Sequence, residues 1–108
     1  MATRDRFQTL TSGETPVLID FYATWCGPCK SLAPILSQVA KRLEGLVRVV
    51  KIDVDKNQEL AQSLGIQGVP TLALYKAGSV LWRQSGVLSA EQIQTQVQFH
   101  LGAGNAGA

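Results

Sequence analysis

The only two cysteines of this 108-residue chain stand two residues apart, in Trp25-Cys26-Gly27-Pro28-Cys29-Lys30. Immediately before them, Val17-Leu18-Ile19-Asp20-Phe21-Tyr22 is apolar on both alternating faces but for one acid. That is the pattern of a central strand covered by helices on both sides. Immediately after them, Leu32, Ile35, Leu36, Val39 and Leu43 recur at helical spacing and form one buried stripe. A Cys-x-x-Cys at the junction of a buried strand and a helix commits the chain to helices packed on a sheet. It points to thiol–disulfide exchange rather than to packing.

Other uses of a cysteine pair fit less well. A structural zinc site needs four ligands, and the single histidine, His100, lies far along the chain. A c-type haem site needs histidine directly after the second cysteine, where this chain has Lys30. No metal site is expected. With two cysteines in all, the chain is not a disulfide-stapled secreted scaffold.

Composition limits the partners. A net charge of +2 with scattered charges is too small and diffuse for a nucleic-acid or membrane surface. No apolar run approaches the roughly 20 residues of a membrane helix. The start, Met1-Ala2-Thr3-Arg4-Asp5-Arg6, has no apolar signal segment. The expected compartment is reducing: the cytoplasm, or an organelle stroma or matrix after loss of a transit peptide. The length suits one domain over residues 1–101, followed by a disordered tail over 102–108 with nothing to bury.

The remaining elements follow in order. Residues 3–12 read as a short helix capped by Thr3, with Phe7 and Leu10 on one face. The cysteine helix spans 26–44, kinks at Pro34 and stops at Gly45. Residues 46–54 are rich in β-branched residues and form a strand. Asn57 caps a short helix that buries Leu60, Ala61 and Leu64. Residues 71–76 and 79–85 form a hairpin about Ala77-Gly78. Ser89 caps a last helix over 89–101, with Ile93, Val97 and Leu101 on one face. The long helix between the first two strands implies a parallel, right-handed crossover. The class is α/β.

Three features carry the chemistry. A Cys26 at the helix N-cap faces unpaired N–H groups and the positive end of the helix dipole, which favours its thiolate. Cys26 is then the nucleophile. Cys29, one turn further in, resolves and is the harder of the two for a substrate to reach. Asp20, in an apolar strand, is expensive to bury charged. Its pKa is expected to rise, so it can exchange a proton with Cys29, while Lys51 on the neighbouring strand opposes the rise. Gly68-Val69-Pro70-Thr71 opens the third strand, and base rates alone make the Val69–Pro70 bond trans.

The sequence closely resembles the thioredoxins. The likeness rests on Asp20-Phe21-Tyr22-Ala23-Thr24-Trp25-Cys26-Gly27-Pro28-Cys29-Lys30, on Pro34, on Lys51-Ile52-Asp53-Val54-Asp55, on Gly65-Ile66-Gln67-Gly68-Val69-Pro70-Thr71 and on Gly86-Val87-Leu88-Ser89. It implies a thioredoxin-like mixed sheet flanked by about four helices. It also implies a redox-active Cys26–Cys29 disulfide and a cis Val69–Pro70 bond packed against it. A shallow substrate groove of Trp25, Gly27, Pro28, Val69, Pro70 and Gly86 should lie beside the cysteines, with Asp20 buried beneath Cys29 and Lys51 near it. The implied activity is reduction of disulfides in protein substrates without a bound cofactor. Electrons come from an external thioredoxin reductase, either a flavin-containing NADPH-dependent enzyme or a ferredoxin-dependent one. Gly27-Pro28 resembles reducing members, whereas oxidases and isomerases of this fold usually carry histidine there. Net oxidation or isomerisation, or an interaction module or chaperone subunit with incidental redox chemistry, are the rival readings.

The chain departs from the family at its start. Too few residues precede the Phe7–Leu10 helix for the usual first strand, which predicts four strands with residues 46–54 at an edge. Val47, Val49, Val50 and Ile52 make that edge a pairing hazard. A mostly monomeric chain with weak dimerisation or partner pairing along it is expected.

Overall fold

A computed structural model describes residues 3–102. The elements are α1 (Thr3–Thr11), β1 (Val17–Tyr22), α2 (Gly27–Arg42), β2 (Arg48–Asp53), α3 (Gln58–Ser63), β3 (Thr71–Lys76), β4 (Ser79–Ser85) and α4 (Ala90–His100). The expected tail falls almost wholly outside the described residues. Every expected helix and strand is present; the hairpin strands match residue for residue and the other ends move by at most two residues. α1 already includes Thr3, so that residue is helical rather than a cap.

The strands form one sheet in the order β2-β1-β3-β4. β1 runs parallel to β2, as the long crossover required, and antiparallel to β3, which pairs antiparallel with β4. The sequence explains the order. β1 and β3 are buried along nearly their whole length, whereas β2 and β4 are mostly half-buried or exposed and carry polar residues. Strands apolar on both faces must be central, because only there do helices cover both sides.

Alternation along β1 and β3 divides the core. Leu18, Leu72 and Leu74 face Leu32, Leu36 and Val39 of α2 and Ile93 and Val97 of α4. Ile19, Phe21, Ala73 and Tyr75 face Phe7 of α1 and Leu60 of α3. Phe7 is the anchor of α1: its ring meets Tyr75 edge-on at 5.2 Å between centroids. The hairpin turn closes with positive φ at Ala77 and Gly78, the mirror-image turn that matches strand twist. Its N–H groups donate to the carbonyls of Gly13 and Thr11, tying β3–β4 to the end of α1.

Of the caps expected at Ser89 and Asn57, the first forms and the second does not. Ser89 Oγ accepts from Gln92 N at 3.1 Å and Gln92 Oε1 accepts from Ser89 N at 2.9 Å, a closed capping box. Asn57 occupies the N-cap position of α3 but makes no side-chain cap bond. Its amide instead donates to the Asp53 carbonyl at 2.8 Å. The turn between β2 and α3 competes for the side chain and takes it. Leu64, expected in the core, is only partly buried because α3 has already ended there. Ser89→Ala removes one half of the box and leaves an orphan N–H; it is expected to cost about 1 kcal/mol. A urea titration should show a lower midpoint at unchanged slope.

Candidate active site

β1 delivers the chain to the cysteines. After Tyr22 it turns through Ala23-Thr24-Trp25, and Cys26 becomes the N-cap of α2 with extended backbone angles. Its Sγ accepts from Cys29 N at 3.1 Å, so one of the free N–H groups of the first turn points at this sulfur. Pro28 stands in the first turn, where its missing N–H wastes nothing. Cys26 and Cys29 are joined in a disulfide.

Several of the predicted groove residues converge here from distant parts of the chain. The Val69–Pro70 bond is cis, as the resemblance implied and base rates did not. Cys26 Sγ lies 3.7 Å from the Val69 carbonyl oxygen. As a disulfide sulfur it has no hydrogen to donate; the opened thiol would have one. Pro70 is buried, and its carbonyl accepts from Gly86 N at 2.9 Å. Thr71 Oγ1 meets both the Gly68 carbonyl, at 2.6 Å, and Ser85 Oγ, at 2.8 Å. The loop before β3 is therefore pinned to the loop after β4. Gly86 has φ +100°, which a side chain would resist. Gly27, Pro28, Trp25 and Val87 are exposed around these atoms.

The two cysteines do not differ in accessibility as expected: Cys26 is 4% exposed and Cys29 5%. Ala23, Tyr22, Val54 and Val69 pack around both. What separates them is position, since only Cys26 sits at the cap.

Sequence reasoning missed a support for Trp25. This residue is 69% exposed, yet its Nε1 donates to Asp55 Oδ2 at 2.8 Å. Asp55 is held in turn, because the buried Asp53 accepts from the N–H groups of Asp55 and Lys56. The short-range signal was present in Asp53-Val54-Asp55, where an aspartate two residues before another makes a turn of this kind. The pairing with Trp25 is long-range and left no local trace.

Asp20 lies in β1 on the face covered by α2. It is 1% exposed, and neither carboxylate oxygen has a hydrogen-bond partner. Desolvation raises its pKa from 3.8 to about 6, and the charge of Lys51 pulls against that rise. Lys51 is Asp20's register partner in β2, but its ammonium does not bond the acid. It sits 4.8 Å above the Tyr22 ring, so its influence on Asp20 acts through space.

The sequence model of the family described as Thioredoxin matches residues 1–99. The chain belongs to the thioredoxin family. It is 46% identical over 102 residues to a thioredoxin-like protein of Synechocystis sp., covering 91% of this chain and 97% of that one. It is 42% identical over 86 residues to a thioredoxin of Pseudomonas aeruginosa, covering 80% of each. Among solved structures, chloroplastic thioredoxin z superposes with a TM-score of 0.81 at 39% identity, covering 94% of this chain and 92% of the other. The fold is thioredoxin-like, and the cysteine pair belongs to a thiol–disulfide oxidoreductase.

The raised pKa of Asp20 has a definite sign in stability. A folded value of about 6 against 3.8 means that the folded state holds the proton more tightly. Stability is therefore highest below pH 4 as far as this group is concerned. It falls between about pH 4 and 6 and stays lower above. The difference corresponds to roughly 3 kcal/mol. Asp20→Asn keeps the volume and removes the charge. It is expected to unfold at higher denaturant than the parent at pH 8, by roughly 2–3 kcal/mol, with the gap closing toward pH 4.

Proposed function

We propose that the protein reduces disulfide bonds in protein substrates by dithiol exchange, with Cys26 as nucleophile and Cys29 as resolving thiol. The observation that carries this reading is the Cys26–Cys29 pair at the start of α2, with Cys26 Sγ accepting from a backbone N–H of the first turn. In the dithiol form the same N–H and the helix dipole stabilise a Cys26 thiolate.

The thiolate attacks one sulfur of the substrate disulfide. A Cys26–substrate bond forms, the substrate S–S bond breaks, and one thiolate leaves. Cys29 gives its proton to the Asp20 carboxylate and attacks Cys26 Sγ, which frees the second substrate sulfur as a thiolate. The substrate has gained two electrons and the protein keeps them no longer, ending as the Cys26–Cys29 disulfide. Asp20 suits the role of base because a pKa of about 6 leaves it mostly ionised at pH 7 yet able to hold a proton. Lys51 sets how far that pKa rises.

An extended substrate segment lies across Trp25, Gly27, Pro28, Val69, Pro70 and Gly86, with the backbone of Val69 as its pairing partner. The exposed indole of Trp25 supports this placement. The cysteines carry the electrons, so no bound cofactor is needed. A thioredoxin reductase, NADPH- or ferredoxin-dependent, restores the dithiol. The compartment is a reducing one, cytoplasmic or an organelle stroma; a chloroplastic relative is among the similar structures.

The reduction potential of the pair tests the direction of transfer. Thioredoxin itself lies near −270 mV, a figure belonging to that protein and not to this geometry. A value close to it supports a reductant. One above about −200 mV would make the chain a donor of disulfides. Cys29→Ser is expected to accumulate the mixed disulfide on Cys26, and Cys26→Ser to form none. Retention of the cellular role by the doubly substituted chain would instead indicate an interaction module.

Asp20→Asn provides a separate check on the proton. Release of reduced substrate should slow roughly 10-fold or more at pH 7, below the full 10²–10⁴ range of general-base effects because water substitutes in part. Formation of the mixed disulfide should be unchanged, and an equal slowing of both steps would remove Asp20 from the mechanism.

A further inference from the structure

β2 has a partner on one side only: among the described residues nothing pairs with its outer edge. The ladder to β1 tells which groups are free. Arg48 N donates to Pro16 O and Val54 N donates to Tyr22 O, both toward β1. Backbone groups alternate along a strand, so Arg48, Val50, Ile52 and Val54 spend theirs on β1. Val49 and Lys51 therefore point both N–H and C=O outward. At the ends, Val47 N is spent on Leu43 O and the Asp53 carbonyl on the Asn57 amide. Val47 keeps an acceptor and Asp53 keeps a donor.

We infer that a second copy of this chain pairs with this edge through its own β2, antiparallel about a two-fold axis at Val50, joining two four-stranded sheets into one. Free donors and acceptors select that register. It sets Val49 opposite Lys51 of the other copy and Lys51 opposite Val49, which satisfies all four outward groups of each strand. It also sets Asp53 N–H against the Val47 carbonyl, so the one donor left at one end meets the one acceptor left at the other. Moving the axis to Lys51 places two lysines directly opposite, which is repulsive. Moving it to Val49 leaves Asp53 N–H unpaired.

Side chains agree with the backbone. Val50 meets Val50 as a close, non-hydrogen-bonded pair, and Ile52 on the same face extends the apolar row. Both are only partly buried in the monomer and already pack against the Phe7–Tyr75 cluster. Cavities flank the edge on both faces: about 430 Å³ bordered by Leu10, Ile52 and Leu60, and about 300 Å³ bordered by Pro34, Val49 and Lys51. They give room to alternate side chains of an added strand. Six residues a side lie at the low end of interface size, so the dimer is weak.

Sedimentation equilibrium up to about 1 mM protein tests this, with Cys26–Cys29 held oxidised so that no cross-links form. Amide exchange is followed over the same range. The expected result is a mass rising from monomer toward dimer, with Val49 and Lys51 amides becoming protected as it does. Val49→Glu, opposite Lys51 of the other copy, should tighten association roughly 3- to 10-fold, and Val49→Lys should weaken it by a similar factor. The same pair of changes at Val80, exposed on the opposite edge strand, should do neither. A monomer at every concentration overturns the inference. So does a dimer in which both amides exchange unaltered, or one that responds alike to both Val49 changes. These outcomes are independent of the redox reading.

Discussion

β1 is hydrogen-bonded on both edges and covered by helices on both faces, and the rest of the molecule depends on that enclosure. A strand so held cannot shift register without moving its apolar side chains out of two cores at once. The point where it ends is therefore the most firmly placed in the chain, and Cys26 follows within a few residues. α2 begins there because Cys26 takes the cap, Pro28 tolerates the first turn, and Leu32, Leu36 and Val39 dock the helix against β1 and β3. β3 adds the second half of the site from the opposite direction. Because it runs antiparallel, its start lies beside the end of β1, which sets the Val69 carbonyl 3.7 Å from Cys26 Sγ.

The same enclosure makes Asp20 costly. A carboxylate with no hydrogen-bond partner inside a core is destabilising when ionised, and folding here accepts roughly 3 kcal/mol of that at neutral pH. A typical domain has only about 5–15 kcal/mol in all. Nothing in the packing requires an acid at this position, since Leu18 and Leu72 nearby show what the same face holds elsewhere. The structure moderates the penalty from a distance. Lys51 lies in register with Asp20 but rests over Tyr22, so it lowers the pKa without neutralising the acid by direct contact. A direct ion pair would have held the carboxyl ionised and left it a poor proton acceptor.

Strand and helix positions were legible because apolar periodicity is strong in β1, α2, β3 and α4, and the mixed sheet followed from the long crossover and the tight hairpin. Helix ends were less legible. Ser89 capped as expected, but Asn57 did not, because the Asp53 carbonyl lies within its reach and the sequence does not display that competitor. The cysteine pair and the odd acid were visible as residues out of keeping with their surroundings. Trp25 and Asp55 were not visible as a pair, since thirty positions separate them and each is ordinary alone. Equal burial of the two cysteines was also hidden. It comes from Val54 and Val69, which arrive from other elements.

A sheet of four strands has two edges, and this one treats them differently. β4 slips register against β3 at Leu74/Tyr75, a distortion that spoils an edge for pairing. It is further committed through Arg83, whose guanidinium donates to the carbonyls of Leu64 and Gly65, both at 2.6 Å, at the end of α3. That clamp satisfies helix-end acceptors and places a cation where the dipole favours one. Its backbone end is also tied, through Gly86, to Pro70. β2 has none of these devices. Its pairing with β1 is regular along all six residues, and its protection is limited to the exposed charges of Arg48 and Lys51. That lysine is already engaged with Tyr22 on the face of the sheet, which draws the charge away from the strand's outer rim. Of the two edges, the one beside the buried Asp20 is the one without these devices.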